Sequence, residues 1–488
     1  MKYFILVVFT LAMILVGVAT NRRVRTTTDF IVGGRRMGAW LSAFSYGTTY
    51  FSAVIFVGYA GRFGWSFGIS AFWIGIGNAI LGSLVAWLLL AERTRKLSLE
   101  LDASTMADLI GRRYKSKRLE TLSAGIIFVF LIPYSASVYQ GLGYILQRFF
   151  AGTFMQDLKV SMFVIAIVTS VYIFFGGYVS TAVNSLIQGI IMLAGVVFMV
   201  QRVITVSGGM SAALDTLASL PSAGDAGALA SVFGPKPFDL LVLVLMTSIG
   251  TFGLPQMVSK YKGIRDRKAV RLGTIMSTLF ALIIGGGAYF MGGLSRVVNE
   301  RLGLAFDGRN LDEVMPIIFE TILSPVLMAV LVVLMLSASM STLAGVVLVS
   351  APTFTRSILK KPNSIGLMRI MSIVFVFASY LIAIIPSAIV TLMAFSWGAV
   401  SGSFIGPYIW GLYSKEITRA GATAGMLSGL GTVVLGATIA LILNPASAAS
   451  WAPRLAVLAM AVSVAVTPLV SRLTKSAVAS EDLPVLSF

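Results

Sequence analysis

AFSYGTTYFSAVIFVGYAG, residues 43–61, decides how this chain folds. Its length and apolar content suit a bilayer crossing. Yet Ser45, Gly47, Thr48, Thr49, Tyr50 and Ser52 put polarity and flexibility into its first half, where a plain anchor would carry Leu and Val. Two readings fit. The hydroxyls can bond back to carbonyls of the preceding helical turn and change nothing else. Alternatively the helix is interrupted at depth, which frees carbonyls that suit an alkali ion and amides that suit an anion.

The surrounding chain makes lipid the solvent. Of 488 residues, 57% are hydrophobic and 11% charged, whereas a soluble domain of this size needs roughly 25% charge to clothe its surface. Apolar runs of about 20 residues can cross a ~30 Å hydrocarbon layer as helices. The fold class is therefore an all-α polytopic membrane protein. We place about thirteen transmembrane helices at 3–20, 41–60, 68–91, 119–148, 159–176, 180–204, 237–256, 272–295, 316–348, 366–386, 388–412, 421–443 and 453–471.

The net charge of +18 invites a nucleic-acid reading. The basic clusters, such as GRRYKSKR (111–118) and KYKGIRDRK (260–268), instead fall between the spans. With the N-terminus outside, roughly 27 of the 37 Lys and Arg lie on the inner side, as the positive-inside rule requires. The clusters read as retention signals rather than as lipid or nucleic-acid recognition. Arg22, Arg23 and Arg25 directly follow the first apolar run, which marks it as a retained helix and not a cleaved leader. The expected location is the plasma (inner) membrane, with the C-terminus cytoplasmic.

Cysteine and histidine are absent, which excludes disulfides, thiolate or imidazole metal sites and histidine acid–base chemistry. No Walker motif offers ATP as an energy source. No carboxylate falls near the middle of a span, so proton coupling lacks its usual group. No cluster of nucleophile, acid or metal ligands lies at depth either. The chain does not read as an enzyme, and no organic cofactor is implied.

A second polar patch, LSASMSTLAG (336–345), lies in another apolar run. Ala338, Ser341 and Thr342 share one helical face at i, i+3, i+4. Two hydroxyls and a carbonyl one turn earlier are neutral hard donors of the kind sodium prefers. Small residues at this spacing also serve close helix packing.

Five segments, in order, resemble the sodium:solute symporter family: FIVGGRRMGAWLSAFSYGTTYFSAVIFVGYAG, YVSTAVNSLIQG, TFGLPQMVSKYKGIRD, MSTLAGVVLVSAPTFTRSILKK and WGAVSGSFIGPYIWGLYSKEITRAGATAGMLSG. The resemblance implies a LeuT-like core of two inverted five-helix repeats, 41–204 and 237–412. Residues 1–40 would supply one additional helix and an inner loop, 205–236 an outer loop, and 413–488 two further helices with a short tail. It implies Na+ as the coupling ion, held by carbonyls of Thr48, Phe51 and Ala338 and hydroxyls of Ser341 and Thr342. There are departures. Tyr50 stands where proline-type members carry an aspartate, and Ser185 stands where many members carry another, so one sodium per cycle is expected. Tyr134 is retained, but Val54, Thr247 and Thr251 replace bulkier rings, which does not suit a proline carrier.

The substrate pocket expected between the repeats would be walled by Thr49, Tyr50, Asn78, Tyr134, Gln140, Thr247, Thr251, Phe252, Gln256 and Trp397. This neutral set of hydroxyls, amides and rings suits a small organic solute. Amino acids and monocarboxylates lead, with sugars and pantothenate-like acids open. The partners are then solute, sodium and the lipid bilayer, and a monomer suffices. A sodium-independent uniporter or a solute sensor on a transport fold would use the same residues.

Overall fold

The structure is a computed structural model and describes residues 2–21, 26–222, 225–304, 306, 310–445 and 447–474. Arg22, Arg23 and Arg25, and the tail beyond residue 474, lie outside the described residues. In lipid every backbone group needs a partner inside the protein, and a helix supplies it within one segment. Accordingly, the long elements among the described residues are all helices.

In chain order the principal helices are α1 (Lys2–Asn21), α2 (Ala39–Tyr50), α3 (Ile55–Glu100), α4 (Lys117–Phe149), α5 (Leu158–Phe175) and α6 (Tyr178–Val206). There follow α7 (Pro237–Gly253), α8 (Pro255–Lys262), α9 (Arg267–Gly293), α10 (Pro325–Ser357), α11 (Ile365–Ala383), α12 (Ile389–Tyr413), α13 (Arg419–Leu443) and α14 (Ala448–Thr474). The polar connection 205–236 contributes a surface helix, Met210–Ser219.

Among the described residues, 10 helices are long and apolar enough to cross a membrane, or 11 if α7 and α8, bent by 48°, are one span. That is fewer than expected, for two reasons. The first expected span, 3–20, coincides with the 20-residue α1, of which only the stretch Val7–Gly17 registers, as a shorter apolar helix outside that number. Two expected spans, 41–60 and 68–91, are cut differently: α2 stops at Tyr50, and the helix that resumes runs on to Glu100. Within α3, however, the chain turns a corner at Gly68 (φ 62°, ψ −141°), a conformation closed to a helical residue with a side chain. A Cβ there would strike the Leu229 carbonyl. The ninth expected span also shifts. Leu323 is extended, and Ser324 caps a new helix by accepting from the Leu327 amide, so α10 begins at Pro325 rather than near 316.

The interior is built around α10 and α12. Every residue of α10 from Leu334 to Thr353 is buried, so this helix has neighbours on all sides. These are α2, α4, α6 and α11. In contrast α13 and α14 pack on each other and on α12 at the periphery, with 17% and 33% of their apolar windows buried. Close approach is set by small residues. A Cβ on Gly64 of α3 would collide with the Gly292 backbone of α9, so the two helices touch main chain to main chain.

Candidate functional site

The helix α2 ends where the polar stretch begins to dominate. Phe51 is extended (φ −110°, ψ 109°), its amide still bonded to Gly47 O at 3.1 Å, and helix resumes at Ala53. The break is closed by side chains. The Ala53 amide, which a continuous helix would return to the Thr49 carbonyl, donates to Ser339 Oγ of α10 at 3.2 Å. The Val54 amide donates to Ser52 Oγ at 3.2 Å.

The freed carbonyls meet α10. Thr342 Oγ1 lies 3.1 Å from Thr48 O, 3.3 Å from Thr49 O and 3.1 Å from Ala338 O. One hydroxyl carries one proton, so three carbonyls converge on a donor that satisfies one at a time. Beside it a chain of hydroxyls is fully spent: Ser185 to Ser341 at 2.8 Å, Ser341 to Thr48 at 2.7 Å, Thr48 to Phe44 O at 2.7 Å. All these side chains are buried. The result is an uncharged, oxygen-rich knot with more lone pairs than protons. It brings together Thr48, Ala338, Ser341 and Thr342. Phe51 sits one step along at the break and lines the adjoining cavity.

A second break lies in the later half of the chain. Gly253 ends α7, Leu254 is extended (φ −81°, ψ 119°), and Pro255 opens α8. Beside the first break lies a cavity of about 20 Å³ lined by Tyr50, Asn78, Thr247 and Trp397 of the expected wall. Phe51, Ser52, Val54, Ile55, Tyr59, Tyr289 and Met393 complete it. Asn78 Oδ1 accepts from Thr247 Oγ1 (2.9 Å) and Ser248 Oγ (3.1 Å), and the Tyr50 hydroxyl donates to Thr247 O at 2.7 Å. Two buried donors are idle, the Trp397 indole N–H and the Tyr59 hydroxyl.

The other expected wall residues are elsewhere. Thr251 donates toward Ser248 O (2.8 Å) and Gly82 O (3.2 Å), next to Phe252. Thr49 packs against Gly345. The Gln256 amide is buried and without a partner. Tyr134 reaches the site through its ring, 6.2 Å from that of Trp397. Gln140 braces the α11–α12 connection, donating toward Ala383 O (3.0 Å), Ile385 O (3.3 Å) and Ser387 Oγ (3.3 Å).

One helical turn beyond the cavity along α3 and α12 opens a vestibule of about 410 Å³, whose lining includes Arg62, Lys236, Asp239, Val390 and Arg454. At its edge Arg62 pairs with the buried Asp312 at 3.4 Å, and Asp312 Oδ2 accepts from the Ile389 amide at 3.1 Å. Burial pushes the Asp312 carboxyl above the usual range, while Arg62 and the Ile389 amide pull it down.

Sequence reasoning marked Ser185 only as a departure from the family pattern, and missed Ser339 at the break and Tyr59, Tyr289 and Met393 in the cavity. Ser339 was within reach, being one of four hydroxyls in 336–345. The others carry no local signal.

Relatives fit this architecture. The osmoregulated proline transporter OpuE of Bacillus subtilis (strain 168) is 26% identical over 447 residues, covering 89% of this chain and 88% of its own. The sodium/pantothenate symporter of Haemophilus influenzae is 26% identical over 428 residues, covering 84% of each. In fold, the chain matches a Na+-coupled sialic acid symporter solved in a substrate-bound outward-open state, with TM-score 0.75 and 20% identity over 97% of both chains. Since the model of that family matches residues 30–429, the chain belongs to the sodium:solute symporter family, and is a membrane transporter with sodium as its coupling ion rather than an enzyme.

Proposed function

We propose that the protein couples inward sodium movement to uptake of a small organic solute by alternating access. Sodium would be held by Thr48, Phe51, Ala338, Ser341 and Thr342. The observation that carries this reading is the convergence of three carbonyls on the single Thr342 hydroxyl. A cation supplies what that hydroxyl lacks, and needs no buried carboxylate beside it. By bridging the α2 break to α10, the ion would favour the form in which the cavity can take solute.

Tyr50, Asn78, Thr247 and Trp397, joined by Tyr59 and Tyr289, would contact the solute. The idle Trp397 and Tyr59 donors favour an acceptor group such as a carboxylate. An amino acid or a monocarboxylate therefore remains the leading class, and the relatives named for proline and pantothenate transport are in keeping with it. The two breaks also support the inverted-repeat reading of 41–204 and 237–412, since each half opens with an interrupted helix. The corner at Gly68 supports counting α3 as parts of two spans, toward the thirteen expected with the N-terminus outside.

The test is uptake of a labelled solute panel into proteoliposomes with and without an inward sodium gradient. Sodium-driven accumulation of one solute is expected, and its loss in the Ser341→Ala, Thr342→Ala double variant. Equal uptake in the two conditions would establish a uniporter instead.

A further inference from the structure

The basic run 111–118 divides its work in the fold. Arg112 donates to Leu101 O (2.6 Å) and Asp102 O (2.8 Å), and Arg113 to Gly411 O (2.9 Å) and Ser414 O (2.7 Å), so both serve as braces. Lys117 and Arg118 instead open onto a groove of about 840 Å³, between the start of α4 and the end of α10, shared with Glu120, Arg356 and Lys360. Its one lining carboxylate is spent: Glu120 accepts from Lys117 at 3.1 Å and from Ser357 Oγ at 3.0 Å. Arg356 faces Asp108 at 3.3 Å. Arg118 and Lys360 have no partner among the described residues, leaving the groove two positive charges in excess.

The groove continues into apolar surface. Thr121 and Leu122 form its floor toward the membrane body of α4. From there Thr121, Gly125 and Val129 follow at four-residue spacing on one face of the helix. Val129 is exposed, and a Cβ on Gly125 would meet nothing within 4 Å. This open face runs from a cationic mouth along a membrane-spanning helix.

We infer that this groove is a binding site for an anionic phospholipid, its phosphate held between Arg118 and Lys360 and one acyl chain laid along the open Thr121–Gly125–Val129 face. Basic pockets at the ends of spanning helices attract such head groups, and the adjoining helix face distinguishes a lipid from free phosphate, which has no use for it.

The full-length chain in nanodiscs of phosphatidylcholine with a minor share of phosphatidylglycerol tests this, with retained lipid counted by native mass spectrometry. The wild type should retain phosphatidylglycerol in preference to phosphatidylcholine. The Arg118→Gln, Lys360→Gln double variant should lower that preference by about thirtyfold, two charges' worth. Gly125→Leu should lower retention severalfold without altering charge. Removing two charges elsewhere, as Arg265→Gln, Lys268→Gln, should leave it unchanged, as should excess inorganic phosphate. Equal loss in the control variant, displacement by phosphate, full retention in Gly125→Leu, or no preference in the wild type would overturn the proposal.

Discussion

Thr342 is the residue on which the two halves of the proposed sodium site depend, because its one proton is offered to carbonyls from both helices. Thr342→Val keeps the shape and removes the oxygen. Losing one ligand of a charged species costs roughly 1.5–3 kcal/mol, so the sodium concentration for half-maximal uptake should rise about tenfold or more. Thr342→Ser keeps the oxygen and should stay within about threefold of wild type. A sodium titration of uptake that does not separate the two variants would remove Thr342 from the site. Ser341 and Thr342 were legible in the sequence because i, i+3, i+4 spacing is a local property. Ser185 was not: it meets Ser341 across 156 residues of chain, and nothing near either residue encodes that meeting.

At the scale of elements, Ser339 acts as a helix cap supplied from another helix, satisfying the Ala53 amide where α2 breaks. Ser339→Ala should cost about 1 kcal/mol, the usual worth of a capping side chain. Equilibrium unfolding in mixed micelles would measure it, and an unchanged midpoint would mean the break is held by other contacts. The first break was readable from the crowding of hydroxyls and glycine in 43–61. The second left a signal too, since Pro255 steers Leu254 out of helical geometry, but the run 237–256 is apolar enough to pass for one straight span.

The Arg62–Asp312–Ile389 contact joins α3, the 311–313 turn and the start of α12, and it carries a pH dependence. Burial raises the Asp312 carboxyl in the fold. A group raised in this way contributes stability that is complete below its ordinary value of about 3.9 and is lost as pH rises through its folded value. Asp312→Asn has no charge to titrate. The stability of wild type relative to Asp312→Asn should therefore improve as pH falls from about 7 toward about 4. A difference that stays constant across that range would mean that the Arg62 pair fully offsets burial.

The whole molecule was the easiest scale to read and the most approximate in detail. Low charge and long apolar runs required a helical membrane protein, because a run of about 20 apolar residues satisfies its own backbone in lipid only as a helix. Span boundaries were less legible, since α3 and α10 begin where caps and corners place them and hydropathy is blind to both. The sodium proposal also makes a claim at this scale. A ligand that binds the folded form alone stabilises it by RT ln(1 + [L]/Kd), about 2.7 kcal/mol at a hundredfold excess over Kd. The proposed ion ties α2 to α10, the helix with neighbours on all sides, so the gain should register in the whole transporter and not in one loop. Sodium, compared with equal potassium, should raise the thermal midpoint of the purified wild type. It should leave the Ser341→Ala, Thr342→Ala variant unmoved, and saturating solute should lower the sodium needed for half the shift, because coupling between two ligands is reciprocal. Equal stabilisation by sodium and potassium would place the effect in bulk salt and take away the bridge between the two helices.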